Sequence, residues 1–175
     1  DLIMIIQMQG VAIKGNVNDS TWGEIINYNN CGLYEFAEVA AVPNATTINL
    51  KCPLQNNYTS SGKAQVVRVP RYTTLTINAG SVLTTDPWDG TTGGVLATEV
   101  LNSALINAGG SIDVSGKGFR GGVFQNSNYV YGISTFASMA QDEGAQKGES
   151  VAGYQADYIP YVGMHGRGSP ANGGG

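Results

Sequence analysis

The sequence predicts an all-β protein, in which a small β-domain leads into a right-handed parallel β-helix-like segment and then into a glycine-rich C-terminal tail. Two observations support this. The phrase Asn-Ala-Gly, with similar apolar residues around it, occurs twice, and its two copies begin 29 residues apart at Asn78 and Asn107. The chain also has 25 glycines in 175 residues while only 13% of its residues are charged. We divide it into residues 1–72, 73–122 and 123–175.

The first segment is predicted to form short strands. Residues 2–6 are an uninterrupted apolar run, which is typical of a strand buried on both faces. Residues 34–39, 46–50 and 64–69 are rich in β-branched and aromatic residues and are bounded by turn residues. These four runs therefore predict a small β-sheet.

Two cysteines, Cys31 and Cys52, lie in this first segment. One pair of cysteines in a chain with so few charges predicts a disulfide that closes the loop between them, because secreted domains are commonly cross-linked in this way. Two buried free thiols are the alternative. Neither a Cys-x-x-Cys motif nor a Cys/His cluster is present, which argues against a zinc site.

The second segment, residues 73–122, contains both copies of the repeated phrase. Apolar and polar residues alternate at 75–77 and 112–114, which is the period of a β-strand. A repeat of this length is typical of stacked coils, none of which can bury its apolar face alone. We expect Leu75, Ile77 and Val82 to stack over Leu105 (or Ile106), Ile112 and Val114.

The Asn-Ala-Gly phrase suits a corner between strands, because asparagine and glycine tolerate a left-handed backbone. Asn78 and Asn107 can also hydrogen-bond to each other through their side-chain amides if the coils stack. Two ordinary β-hairpins with similar turns are the alternative. We favour the parallel coils because the flanking apolar residues recur and the sequence shows no tight Asn-Gly hairpin turn.

The turn-rich link at residues 86–94 carries two carboxylates and a tryptophan. Asp86 and Asp89 can bind Ca²⁺ together with backbone oxygens of threonine. A turn stabilised by aspartate side chains is the alternative, because two carboxylates do not make a complete ligand set. Trp88 is expected to pack in the core, and would bind a sugar by stacking if it were exposed. No cofactor other than Ca²⁺ is expected.

Asp113, Lys117 and Arg120 are the candidate ligand-binding residues of the second segment, together with Trp88. A β-helix that cleaves polysaccharide needs an acidic residue for a metal ion and a basic residue as the base. Lys117 and Arg120 can instead hold a sugar acid or a sulfate, or lie over Phe119. The glycines around them lack the Lys-Ser/Thr ending of a phosphate loop. The chain has one histidine, and no catalytic residue is predicted.

Charge and hydropathy limit the partners. The net charge is −4 and the isoelectric point about 4.8, which argues against nucleic acid and anionic membranes. No apolar run approaches the ~20 residues needed to span a bilayer, so membrane insertion is not expected.

The third segment, residues 123–175, is predicted to be irregular, with many aromatic residues and glycines. It ends in a glycine run, so we expect the protein to continue beyond residue 175.

Five stretches of the sequence carry a resemblance to a known group of proteins: residues 5–10, 32–36, 65–70, 112–122 and 166–175. They resemble the N-terminal regions of very large secreted surface proteins of Bacteroidota, which are gliding-motility and adhesin-like substrates of the type IX secretion system. The resemblance implies an exported protein that is attached to or displayed on the cell surface. It implies cell-surface or polysaccharide ligands, and the secretion and outer-membrane machinery as partners, with no catalytic residues to carry over.

Three functions are consistent with these observations. The preferred one is a non-enzymatic extracellular module of an adhesin or gliding-motility-type surface protein. The second is a β-helix domain that binds or cleaves carbohydrate. The third is a self-assembling filament or surface-layer subunit, in which copies pair through residues 2–6 or through the aromatic C-terminal region.

Overall fold

The computed structural model describes residues 1–14, 20–21, 23–121 and 149–153, and contacts divide the chain into two units. Neither unit is a continuous stretch, so the contacts do not follow the predicted boundaries at residues 72 and 122. The described part of the chain holds no helix long and apolar enough to cross a membrane. The first unit is Asp1–Ile6, Leu33–Tyr58 and Ala64–Gly118, and the second is Gln7–Gly32, Thr59–Lys63 and the described residues from Phe119 onward.

The described residues form strands and turns, which confirms that the protein is all-β. Most of the predicted third segment, including the glycine-rich tail, lies outside the described residues, so its predicted character and its continuation stay predictions. The strands are β1 (Leu2–Gln7), β2 (Ala12–Ile13), β3 (Ile25–Asn27), β4 (Tyr34–Asn44), β5 (Thr47–Leu50), β6 (Ala64–Val69), β7 (Arg71–Ile77), β8 (Val82–Leu83), β9 (Glu99–Ile106) and β10 (Ser111–Ile112).

A four-stranded sheet with the order β5-β4-β1-β6 belongs mainly to the first unit. The apolar run at residues 2–6 forms the inner strand β1, which pairs antiparallel with β4 and is buried as predicted. On one face Leu2 and Met4 pack with Val69 of β6, and half-buried apolar residues surround them. The four strands predicted in the first segment are therefore confirmed, although β4 extends further than predicted.

The second unit has its own small core. Strands β2 and β3 pair antiparallel, with a register shift between Ala12 and Ile13. Val11 and Ile13 are buried together with Ala152, which lies far along the sequence. Half-buried Cys31 also packs against this core.

The two copies of the repeated phrase lie on neighbouring parallel strands. Strand β7 pairs in parallel with β9, and β8 pairs in parallel with β10. Arg71 lies opposite Glu99, whereas Thr74 lies opposite Ser103, so the spacing of paired residues changes by one at an irregularity after Tyr72. The parallel pairing excludes a hairpin between the two copies.

The corners that follow β7 and β9 stack on each other. The Nδ2 atom of Asn107 donates a hydrogen bond to Oδ1 of Asn78 at 3.1 Å, which confirms the predicted pairing of amides. Gly80 and Gly109 take equivalent left-handed conformations, with φ of 77° and 86°. The backbone N–H of Gly80 donates to the carbonyl of Gly109 at 2.8 Å.

The predicted stacking of apolar side chains is wrong in its pairs. Ile77 lies opposite Ile106 and not Ile112, and Leu75 lies opposite Ala104. Val82 lies opposite Ser111, and it is the next residue, Leu83, that lies opposite Ile112. The prediction aligned the most apolar residues, whereas the register follows the stacked Asn-Ala-Gly corners.

The structure contradicts the predicted disulfide, because Cys31 and Cys52 are both free thiols. The Sγ atom of Cys31 donates to the carbonyl of Met8 at 3.3 Å within the second unit, where partial burial raises the pKa of the thiol. Cys52 is exposed and belongs to the first unit. The low content of charged residues was therefore a poor guide to cross-linking.

We expect Gly110→Ala to lower the free energy of unfolding by about 1–3 kcal/mol, the usual cost of overpacking. A Cβ atom at residue 110 would lie 2.7 Å from the carbonyl oxygen of Ile77 and 2.8 Å from that of Asn78. Both are backbone atoms of the preceding corner and cannot move aside freely. Urea denaturation followed by circular dichroism measures the change.

Gly118→Ala is the matched control for this substitution. A Cβ atom there meets nothing within 4 Å, and Gly118 does not have a left-handed backbone. We expect its stability to stay within about 0.5 kcal/mol of the natural chain. Equal stabilities of the two variants would mean that the corners do not approach each other as closely as described.

Candidate functional site

An open groove runs along the first unit between β6 and the turn-rich link that follows β8. It consists of two adjoining hollows of about 560 and 450 Å³. We call it the β6 groove. Both hollows are lined by Val67, Arg68, Thr85, Asp86 and Val95.

A buried glutamine fixes one wall of the β6 groove. The Nε2 atom of Gln65 donates to the carbonyl of Gly93 at 3.0 Å, and the N–H of Gly93 donates back to Oε1 of Gln65 at 2.9 Å. The side chain thus pairs with the link as a neighbouring strand would. Gly93 has a φ of +93°, and a Cβ atom there would lie 2.3 Å from the carbonyl oxygen of Pro87. The link is therefore held close to β6 at a position that requires glycine.

The structure places Trp88 in the interior of the first unit. The residue is buried, and its backbone N–H donates to the carbonyl of Lys117 at 2.8 Å. A buried indole cannot stack against a sugar. Trp88 therefore supports the fold of the link, as the packing interpretation predicted.

Asp89 shapes the tip of the link. Its Oδ1 atom accepts the N–H groups of Thr91 at 2.7 Å and Thr92 at 2.8 Å. This is the aspartate-stabilised turn that the sequence offered as the alternative to a calcium site. The described residues contain no group of three or more His, Cys, Asp or Glu side chains that could hold a metal ion. A Ca²⁺ site at Asp86 and Asp89 stays a prediction.

The other predicted site residues are only partly brought together. Oδ1 of Asp113 accepts the N–H of Ser115 at 2.8 Å, and hydrogen bonds from the side chain and backbone of Ser115, with Lys117 nearby, lower the pKa of Asp113. A carboxylate with a lowered pKa is a poor general base near neutral pH. Lys117 lines the β6 groove. Arg120 belongs to the second unit, where its Nε donates to Oε2 of Glu149 at 3.0 Å.

The β6 groove also contains polar residues that the sequence did not single out. Arg68 lies in both hollows and forms an exposed ion pair with Asp1 at 3.4 Å, while Tyr72 is an exposed aromatic residue in the second hollow. With Lys117 they give the groove two cations and one ring, beside the carboxylates of Asp86 and Asp89. The alternation of residues along β6 and β7 indicates which side chains share a face of each strand. It does not indicate that Lys117 and the turn-rich link form the other wall of the groove.

No known protein family, curated protein or solved structure matches this chain. The parallel strands and the β6 groove are therefore the features that bear on function.

We expect Gln65→Leu to lower the free energy of unfolding by about 1–3 kcal/mol, because it leaves the N–H and the carbonyl of Gly93 without their partner. Hydrogen exchange at the amide of Gly93 should become faster. Gln55→Leu, at an exposed glutamine of the same unit, should change neither quantity. Slow exchange at Gly93 in Gln65→Leu would show that the link is held by other contacts.

Proposed function

We propose that this chain is a non-enzymatic extracellular module of a large bacterial cell-surface adhesin or gliding-motility-type protein, which mediates attachment or surface display. In this proposal residues 73–122 are part of a right-handed parallel β-helix. The observation that carries it is the parallel pairing of β7 with β9, with Asn107 bonded to Asn78 across the corner.

A stack of this kind suits a surface role. Each coil adds another strand to a continuous parallel sheet, so the module can be long and can present a broad polar face. Its stability depends on backbone hydrogen bonds and stacked corners, and much less on ion pairs, which is consistent with a charged content of 13%. The resemblance to type IX secretion substrates adds an export route and partners in the outer membrane to the proposal.

Antibodies raised against the purified chain test the location. They should label intact cells of the bacterium that encodes it, and protease added outside should remove the label. Deletion of the gene should reduce attachment of cells to a surface, and restoring it should recover attachment. Labelling that appears only after lysis would overturn the proposal.

A carbohydrate-binding function is the second candidate, and the β6 groove favours it. Arg68 and Lys117 can bind carboxylate or sulfate groups, while the exposed ring of Tyr72 offers a stacking surface for a sugar. An open groove also suits a chain-like ligand. Because the carboxylates of Asp86 and Asp89 also line the groove, this chemistry fits a polysaccharide that offers hydroxyl groups as well as acidic groups.

Titration calorimetry with alginate and a sulfated glycan tests this candidate. We expect Tyr72→Ala and Lys117→Ala each to weaken binding about tenfold, since 1.4 kcal/mol corresponds to a factor of ten. Tyr28→Ala and Lys51→Ala, which alter exposed residues outside the β6 groove, are the matched controls. Absence of binding, or equal effects of all four substitutions, would count against a glycan site. Release of unsaturated uronate would indicate cleavage instead of binding alone.

A further inference from the structure

Strand β9 leaves an apolar edge uncovered. It pairs with β7 on one side, and within the described residues no strand pairs with its other side. We call residues 100–106 the β9 edge. Leu101, Leu105 and Ile106 are all exposed there. Exposed apolar side chains that lie close together form a surface that another chain can cover.

The two equivalent isoleucines show what the edge lacks. Ile77 on β7 is 5% exposed, whereas its partner in register, Ile106 on β9, is 48% exposed. The residue type is the same, and both strands belong to one two-stranded sheet. Ile106 therefore lacks covering atoms of the kind that bury Ile77.

The backbone of the β9 edge is also available. Asn107 donates its N–H to the carbonyl of Ile77, so the N–H groups at alternate positions before it face β7 as well. The backbone groups of Asn102, Ala104 and Ile106 then face away from β7. An unpaired row of donors and acceptors is a template for another strand.

The charge pattern permits a copy of the same chain as the occupant. Natural edge strands are commonly protected by lysine or proline, but residues 100–112 contain no charged residue and no proline. Two chains that each carry a net charge of −4 can therefore meet here without placing like charges against each other.

The sequence of the edge is self-complementary about Ser103. Reading outward from this residue, Asn102 is matched by Ala104. Leu101 is matched by Leu105, and Val100 by Ile106. Antiparallel pairing about a two-fold axis at Ser103 would place apolar residues opposite apolar residues.

We propose that the β9 edge is an interface at which two copies of this chain pair antiparallel around a two-fold axis at Ser103. This differs from the surface that the sequence suggested, because residues 2–6 form the inner strand β1 and are mostly buried. A single added strand buries less than the ~800 Å² per partner of a standard interface, so the dimer should depend on concentration. The proposal goes beyond the proposed function, and it requires β9 to be the last strand of the parallel stack, so that no further coil of the same chain covers its edge.

Cysteine cross-linking tests the register. In a chain with Cys31→Ser and Cys52→Ser, we expect Ser103→Cys to form a disulfide-linked dimer on mild oxidation. Two Cα atoms opposite each other in a non-hydrogen-bonded antiparallel pair lie ~4.5 Å apart, within the range for a disulfide. Val82→Cys, at a similarly exposed residue outside the β9 edge, is the matched control and should cross-link at least tenfold more slowly. Equal rates would overturn the proposed register.

Sedimentation velocity over a concentration series tests the dimer without a cross-link. The natural chain should dimerise as its concentration rises, and the double variant Leu101→Lys/Leu105→Lys should stay monomeric. Val42→Lys, at an exposed apolar residue of β4, should dimerise as the natural chain does. A natural chain that stays monomeric would overturn the proposal. So would slow hydrogen exchange at Asn102, Ala104 and Ile106 in the dilute monomer, because the chain would then cover its own edge.

Discussion

Replacing Arg120 with methionine should lower the free energy of unfolding of the second unit by about 3 kcal/mol. The side chain of Glu149 is only 1% exposed, and Nε of Arg120 donates to its Oε2 atom at 3.0 Å. Removing the guanidinium leaves a buried carboxylate whose remaining hydrogen bonds, such as the one from Gln9 Nε2 at 3.1 Å, do not neutralise it. Breaking a buried ion pair commonly costs 3–5 kcal/mol. We expect the lower end because the side chain of Arg120 is 36% exposed.

Native-state hydrogen exchange measures this effect in the correct unit. The amide of Gly10, which donates to the carbonyl of Val151, should exchange much faster in Arg120→Met. Glu149→Gln in the same chain should restore part of the loss, because it removes the uncompensated charge. Arg68→Met is the matched control: its ion pair with Asp1 is exposed and should contribute less than about 1 kcal/mol. Equal losses for Arg120→Met and Arg68→Met would contradict a structural role for Arg120.

Replacing Gln7 with alanine should cost about 3 kcal/mol. Gln7 is fully buried at the end of β1, and its Nε2 atom donates to the carbonyls of Gln9 at 2.9 Å and Asn29 at 2.8 Å. Its Oε1 atom accepts the N–H of Thr59 at 3.1 Å. One side chain therefore connects three loops of the second unit. Each buried backbone group that loses its partner costs about 1–3 kcal/mol, and these costs are not additive.

A double-mutant cycle with Gly62 identifies the cause of that loss. A Cβ atom at residue 62 would lie 2.2 Å from Nε2 of Gln7, so Gly62→Ala should destabilise the chain by displacing the same amide. In the Gln7→Ala background the added methyl group has room, and Gly62→Ala should then cost much less. Gln55→Ala, at an exposed glutamine, should have little effect. Additive losses at Gln7 and Gly62 would mean that the two residues act separately.

The strands and the stacked corners could be predicted because their signals are local. The apolar run at residues 2–6 and the repeated Asn-Ala-Gly phrase each specify a conformation through a few neighbouring residues. The bond between Asn78 and Asn107 followed directly from the repeat. The exact pairing of Leu75 did not follow from the repeat, because the spacing of paired residues changes at an irregularity between Tyr72 and Thr74. No residue in the sequence indicates this irregularity.

The polar contacts could not be predicted because they join distant parts of the chain. Gln9 and Glu149 are 140 residues apart, and nothing near either one indicates the other. The sequence therefore predicts a ligand-binding role for Arg120, although its guanidinium pairs with Glu149. The β6 groove could not be predicted for the same reason. Arg68 and Lys117 are far apart in the sequence, and only the fold brings them to one hollow.

The most direct test of the parallel stack is disulfide formation between Thr76→Cys and Leu105→Cys in a chain without Cys31 and Cys52. These residues are partners in the parallel register, and neighbouring strands lie ~4.8 Å apart, so a bond should form rapidly within one chain. Thr76→Cys with Ser103→Cys, two residues out of register, should react far more slowly. Rapid reaction of the out-of-register pair, with none between residues 76 and 105, would contradict the stack.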